Sequence, residues 1–105
     1  MKIIAGGFEP LPDSTLQRAL RNAHIWADQV RTGVSLKQVA QYAHKTESYI
    51  RRIVPLAFLS PRIQSAIIAG TQLVDLTLET LVRTSLPLDW QAQEQQLGFG
   101  KTAFP

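Results

Sequence analysis

The residues with the clearest capacity for chemistry lie in a short basic segment in the middle of the chain. Residues 35–62 carry a net charge of +4, from five cations against Glu47 alone: Lys37, Lys45, Arg51, Arg52 and Arg62. Neighbouring arginines of this kind can contact phosphate groups and the acceptor edge of guanine. Residues 1–34 sum to +1 and residues 63–105 to −2, so the basic charge is local. The segment is a candidate footprint for nucleic acid, and a solvated helix face is the alternative.

The rest of the chain offers little for catalysis or metal binding. The 105 residues contain no cysteine, which excludes disulfides, iron–sulfur clusters and thiolate zinc sites. Only two histidines are present, His24 and His44, and no Ser–His–Asp set has supporting spacing. Gly100-Lys101-Thr102 resembles the end of a phosphate-binding loop, but Gln95 stands where that loop needs glycine. We therefore expect no enzyme activity, no cofactor and no metal site.

Length and hydropathy bound the class of protein. A chain of this size forms one domain, and its 45% hydrophobic share is enough for a core. The longest uncharged stretch, residues 63–74, includes polar side chains and is shorter than the ~20 apolar residues of a membrane-spanning helix. The apolar run after Lys2 is too short for a signal peptide. The sequence predicts a cytoplasmic protein without a membrane partner.

Capping residues and helix breakers divide the chain into short helices, and no segment alternates long enough for a sheet. Residues 1–12 are expected to form an irregular arm. Six predicted helices follow, each introduced by a capping residue: Asp13 or Ser14, Ser35, Thr46, Ser60, Thr77 and Asp89. Four of them are expected to end at Gly33, Pro55, Gly70 and Gly98. Residues 13–98 are thus predicted to form a small all-α bundle of about five to six helices, followed by a loose tail over 99–105.

The second and third predicted helices have the dimensions of a helix-turn-helix, at about residues 35–54. Ala40 provides the small residue that lets the two helices cross closely, and Ala43 provides another near the corner. Ile50 and Ile53 form the inward side of the third helix. His44 stands at the corner position that usually holds glycine, and histidine is among the residues enriched at positive φ. A plain helical hairpin with a solvated arginine pair is the alternative.

If Ile50 and Ile53 point inward, the polar side chains of helix 46–54 point outward, as in a helix that enters the major groove of DNA. We predict that four of them read bases: Glu47, Ser48, Arg51 and Arg52. Contacts to the DNA backbone, which position the protein without specifying sequence, are predicted for five further residues: Ser35, Lys37, Lys45, Thr46 and Tyr49.

Several stretches of the chain resemble a known family. Residues 35–40, 46–53 and 56–63 resemble the helix-turn-helix of ParB/KorB-type proteins. A closer resemblance is to the C-terminal region of bacterial serine-family site-specific recombinases of the resolvase/invertase type. It is carried by residues 56–61, 66–70, 76–78 and 95–99, and by the fairly specific run Leu86-Pro87-Leu88-Asp89-Trp90-Gln91. The likeness covers about residues 16–99.

The resemblance implies DNA binding by residues 45–52 without recombinase chemistry. The recombinases carry an N-terminal catalytic domain with a nucleophilic serine and supporting arginines, to which nothing here corresponds. The chain would then be a detached DNA-binding module, a truncated relative from a phage or other mobile element, or a small transcriptional regulator. Double-stranded DNA is the expected partner, with a recombinase or a second copy of the chain as further candidates.

The alternative function is a protein-interaction module built on the same helices. Its docking surface would combine the acidic residues of the C-terminal half with nearby leucines: Asp75, Glu79, Asp89 and Glu94 with Leu76, Leu78 and Leu81.

Overall fold

A computed structural model of the chain describes residues 12–71 and 76–99. Within these ranges every regular element is helical, which confirms the predicted all-α fold. The α-helices are α1 (Ser14–Arg31), α2 (Leu36–Ala43), α3 (Glu47–Ile53), α4 (Pro61–Ala69), α5 (Leu78–Arg83) and α6 (Trp90–Gln96). A 3₁₀ helix (Val54–Phe58) joins α3 to α4. The predicted arm and tail lie outside the described residues, apart from Pro12 and Phe99. No helix in the described part of the chain is long and apolar enough to cross a membrane.

The helices begin at the predicted capping residues. In each of six cases the side chain accepts a hydrogen bond from a backbone N–H of the first helical turn: Asp13, Ser35, Thr46, Ser60, Thr77 and Asp89. At α2 the bond is reciprocated, since Gln38 Oε1 accepts from the Ser35 amide at 3.3 Å. These bonds satisfy donors that have no partner inside the helix, so the local sequence determines where each helix starts.

The junction after α3 differs from the prediction. Pro55 was expected to end the third helix after Val54, but α3 ends at Ile53 and a 3₁₀ helix carries the chain to Phe58. Proline is compatible with the first turn of a helix because the N–H that it lacks has no partner there. The 3₁₀ helix buries Leu56 against the core and packs along α1.

The hydrophobic core is arranged around α1, which contacts α2, α3, the 3₁₀ helix, α4 and α5. The buried residues of α1 recur at the three- and four-residue spacing of an amphipathic helix: Leu16, Ala19, Leu20, Ala23 and Trp26. Val30 of α1 and Ile68 of α4 are exposed, although both are apolar. Phe99, assigned to the predicted tail, is buried in the core, so the packed domain reaches at least one residue beyond the predicted boundary.

A buried polar contact attaches α6 to the junction between the 3₁₀ helix and α4. Gln93 is 4% exposed, and its Oε1 accepts from the Ser60 amide at 2.8 Å. Its Nε2 donates to the carbonyl oxygens of Pro87 at 2.9 Å and Phe58 at 3.3 Å. One amide side chain therefore satisfies three backbone groups and fixes the position of α6.

The docking surface expected for a protein-interaction module does not form as predicted. Leu76 and Leu81 are buried in the core, and Leu78 packs against it. The carboxylate of Glu94 lies 3.6 Å from Arg62, while Glu79 forms an ion pair with Arg83. Asp75 lies outside the described residues. Leu76 and Leu81 therefore stabilise the fold and are not available to a partner, while Leu78 is partly buried.

Candidate nucleic-acid interface

The corner between α2 and α3 has the left-handed geometry that a helix-turn-helix requires. His44 has φ 57° and ψ 42°, and no other non-glycine residue in the described ranges has a positive φ. The Lys45 amide donates to the carbonyl oxygen of Ala40 at 2.9 Å and the His44 amide donates to that of Gln41 at 3.2 Å. This is the Schellman arrangement. The prediction that His44 takes the strained corner position is confirmed.

The packing of α2 and α3 also follows the predicted pattern. Ile50 and Ile53 are 0% and 1% exposed, and both belong to the hydrophobic core. Ala40 is buried where α2 meets α3, and Ala43 packs at the edge of the core. The small side chain of Ala40 leaves room for the close approach of the two helices, so α3 is held by one side and its other side is exposed.

The exposed side of α3 presents the residues predicted to read bases. Successive residues of an α-helix are separated by about 100°, which places Ser48, Arg51 and Arg52 opposite the buried isoleucines. Glu47 lies beside them, one helical turn before Arg51. All four side chains are exposed, and we call them the α3 surface (Glu47, Ser48, Arg51 and Arg52).

The cations of the basic segment 35–62 differ in the contacts that they make. Arg62 lies near Glu94 of α6 and over the ring of Phe99, with its guanidinium carbon 5.9 Å from the ring centroid. Both of these contacts are with the C-terminal part of the domain. In the described part of the chain, no ion pair engages Lys37, Lys45 or Arg52. These three cations are exposed on α2, at the corner and on α3.

Two of the residues predicted to contact the DNA backbone are also helix caps. The hydroxyl oxygen of Ser35 accepts from the Gln38 amide at 3.1 Å, and that of Thr46 accepts from the Tyr49 amide at 3.0 Å. A hydroxyl that accepts in this way keeps its proton for a second acceptor. Both side chains are exposed. The Ser35 hydroxyl also donates to Oε1 of Gln38 at 3.5 Å, whereas the Thr46 hydroxyl can donate to a phosphate oxygen while it caps α3.

Tyr49 has a packing role that the sequence did not indicate. Its ring meets Trp26 of α1 edge to face, with centroids 6.1 Å apart and an interplanar angle of 71°. The ammonium group of Lys45 lies 5.2 Å from the centroid of the same ring. Tyr49 therefore connects the start of α3 to α1 and supports the side chain of Lys45. The four-residue spacing of Lys45 and Tyr49 could have indicated their contact. The contact with Trp26 joins distant parts of the sequence, so no local pattern indicates it.

Outside α2 and α3, the described residues form a depression between α1 and α4. No group of three or more His, Cys, Asp or Glu side chains lies close enough to hold a metal ion within the described residues. The depression, of about 500 Å³, is lined by seven residues: Gln17, Leu20, Arg21, His24, Ile25, Gln64 and Ile68. Nε2 of His24 lies 2.6 Å from Oε1 of Gln64 there.

Comparison of this chain with protein-family models, curated proteins and solved structures finds no match. Its function is therefore inferred from the geometry of the α2–α3 unit and from the sequence pattern.

Proposed function

We propose that the protein is a non-catalytic DNA-binding module in which α3 enters the major groove. The observation that carries the proposal is the exposure of the α3 surface on a helix that Ile50 and Ile53 attach to the core. The left-handed corner at His44 supports the proposal, because a helix-turn-helix needs this conformation between its two helices. The major groove of B-DNA admits one α-helix and displays a donor and acceptor pattern that differs between base pairs.

Each residue of the interface then has a chemical role. Arg51 and Arg52 donate to the guanine acceptors O6 and N7, and Ser48 donates to or accepts from a neighbouring base edge. Lys37 and Lys45 neutralise phosphates, while the Thr46 hydroxyl donates to a phosphate oxygen. Tyr49 supports the side chain of Lys45 and lies beside the DNA strand whose phosphate Lys45 contacts. Base specificity therefore comes from α3. Most of the salt-dependent affinity comes from the phosphate contacts of Lys37 and Lys45.

The resemblance to resolvase-type recombinases and to ParB-like proteins supports the same function. It suggests a recombinase-like module from a phage or other mobile element, acting in the cytoplasm on double-stranded DNA. Two modes of action fit such an origin. A homodimer could read two half-sites, or a recombinase could recruit the module.

Fluorescence anisotropy with a labelled mixed-sequence duplex tests the proposal. Affinity should fall steeply between about 50 and about 200 mM salt, because neutralised phosphates release counterions. The Arg51→Ala/Arg52→Ala variant should bind at least about tenfold more weakly, since each good arginine contact to guanine contributes about 1–3 kcal/mol. For this second measurement the duplex is one enriched from a random library by the wild-type protein.

The matched control removes two exposed arginines elsewhere, Arg18 of α1 and Arg83 of α5. The Arg18→Ala/Arg83→Ala variant changes the net charge by the same amount and should retain most of the affinity. Absence of binding, affinity that is independent of salt, or equal losses in the two double variants would contradict the proposal.

A protein-interaction module is the second candidate, on a different surface from the one first expected. The exposed apolar side chains Phe58, Leu88 and Trp90 favour it, with exposed fractions of 59%, 94% and 52%. Sedimentation velocity without DNA separates the two candidates. Concentration-dependent association in the absence of any DNA retention would favour this second function.

A further inference from the structure

Two residues of the α3 surface form a joint donor and acceptor group. Arg51 follows Glu47 by one helical turn, and its Nη2 lies 3.7 Å from Oε1 of the carboxylate. The side chains are 63% and 45% exposed, so both reach solvent on the side that faces away from the core. The pair presents guanidinium N–H donors directly beside a carboxylate acceptor.

A G·C base pair carries the complementary pattern on its major-groove edge. Guanine offers the acceptors N7 and O6, and the N4 amino group of its paired cytosine is a donor next to O6. We propose that Glu47 and Arg51 act as one unit that reads a single G·C pair, with Arg51 on the guanine and Glu47 on the cytosine. This inference rests on the proposed DNA-binding function and specifies part of the sequence that the site recognises.

Other base pairs fit this unit less well. Thymine gives Arg51 a single acceptor, O4, and places a methyl group beside it, so the two-bond contact of arginine is lost. A guanine edge opposite Glu47 offers only acceptors, and an unpaired carboxylate close to phosphates is repelled. Glu47 therefore excludes wrong sites as well as contacting the right one, which is how a repulsive group produces specificity.

The fold does not depend on this pair. An exposed ion pair contributes only about 0–1 kcal/mol to stability, and the Thr46 hydroxyl, not Glu47, caps α3. Glu79 and Arg83 form an ion pair with the same spacing on α5, also exposed. Glu79→Ala is therefore a matched control that removes an equivalent pair away from α2 and α3.

Selection from a random duplex library, followed by sequencing, tests the inference with wild type, Glu47→Ala, Glu47→Gln, Arg51→Ala and Glu79→Ala. Wild type should enrich a G·C pair at one position. Discrimination at that same position should fall at least about tenfold in both Glu47→Ala and Arg51→Ala. Glu47→Gln keeps an acceptor oxygen and should retain part of the cytosine preference, while Glu79→Ala should match wild type.

Affinity for mixed-sequence DNA provides a readout that loss of folding would not reproduce. Glu47→Ala should bind this DNA more tightly than wild type, because a negative charge near the phosphates is removed. The inference is overturned if Glu47→Ala keeps the wild-type base preferences. It is also overturned if Glu47→Ala and Arg51→Ala change different base pairs, or if wild type binds DNA without selecting a sequence. Absence of any DNA binding by wild type would instead overturn the proposed function.

Discussion

Replacement of His44 by glycine should stabilise the protein, because the corner between α2 and α3 has a left-handed backbone at this residue. The same pair of backbone hydrogen bonds ends α1, α4 and α6, and there glycine occupies the left-handed position: Gly33, Gly70 and Gly98. His44 is exposed, and its side chain makes no hydrogen bond or ion pair within the described part of the chain. Its replacement therefore removes strain and sacrifices no contact that the structure shows.

The size of the effect follows from two opposing contributions. A left-handed conformation costs an L-residue about 1–2 kcal/mol, and glycine escapes this penalty. Glycine also loses more backbone freedom on folding, which costs about 0.5–1 kcal/mol. The free energy of unfolding of His44→Gly should therefore rise by about 0.5–1 kcal/mol. For a domain of this size the midpoint of thermal unfolding rises by about 2–6 °C.

Urea unfolding followed by circular dichroism measures this change. Gln41→Gly is the matched control, since it introduces glycine at an exposed position inside α2. It should lower the free energy of unfolding by about 0.5–1 kcal/mol. Destabilisation of both variants, or a gain in Gln41→Gly alone, would refute the assignment of a strained left-handed corner to His44.

Three further predictions, each measured by urea unfolding, test the packing of the fold. Gly70→Ala should destabilise the protein more than Gly33→Ala. An added Cβ at Gly70 would lie 2.8 Å from the backbone nitrogen of Pro12, whereas nothing lies within 4 Å of one at Gly33. Equal losses of stability in the two variants would contradict this prediction. Ile50→Ala should lower the free energy of unfolding by about 2–5 kcal/mol, as expected for a fully buried isoleucine. A loss below about 1 kcal/mol would show that Ile50 does not attach α3 to the core. Gln93→Leu should cost about 1–3 kcal/mol, because it leaves a buried backbone amide without its acceptor, and an unchanged stability would show that water replaces the side chain.

The starts of the helices could be predicted from sequence because each depends on a few adjacent residues. A hydroxyl or carboxylate at Ser35, Thr46 or Asp89 accepts from an amide within three residues along the chain. The strained corner could be predicted for the same reason. The spacing between Ala40 and Ile50 fixes where the turn must fall, and histidine tolerates the conformation required there.

The features that were missed depend on contacts between distant segments. Gln93 satisfies Ser60 across 33 positions of sequence, and no local pattern distinguishes it from the exposed glutamines of α6. Ile68 belongs to a run of apolar residues wider than the buried side of α4, so the sequence alone could not show that it is exposed. The continuation of the chain past Pro55 as a 3₁₀ helix is favoured by packing against α1, which periodicity does not report.

The exposure of the α3 surface could be predicted from the sequence, but the contacts within it could not. The exposure of Arg51 and Arg52 followed from the inward orientation of Ile50 and Ile53. The i,i+4 spacing of Glu47 and Arg51 is visible in the sequence, yet its meaning for base recognition depends on both side chains lying on the exposed side of α3.

The most direct test of the central claim maps the DNA contact on the protein by NMR. Amide chemical shifts of the ¹⁵N-labelled protein are followed while a duplex enriched from a random library is added. The largest changes should fall on residues 45–52 and at the start of α2, with small changes on α5 and α6. Changes centred on residues 88–96, or none at a concentration where binding is saturated, would contradict the placement of α3 in the major groove.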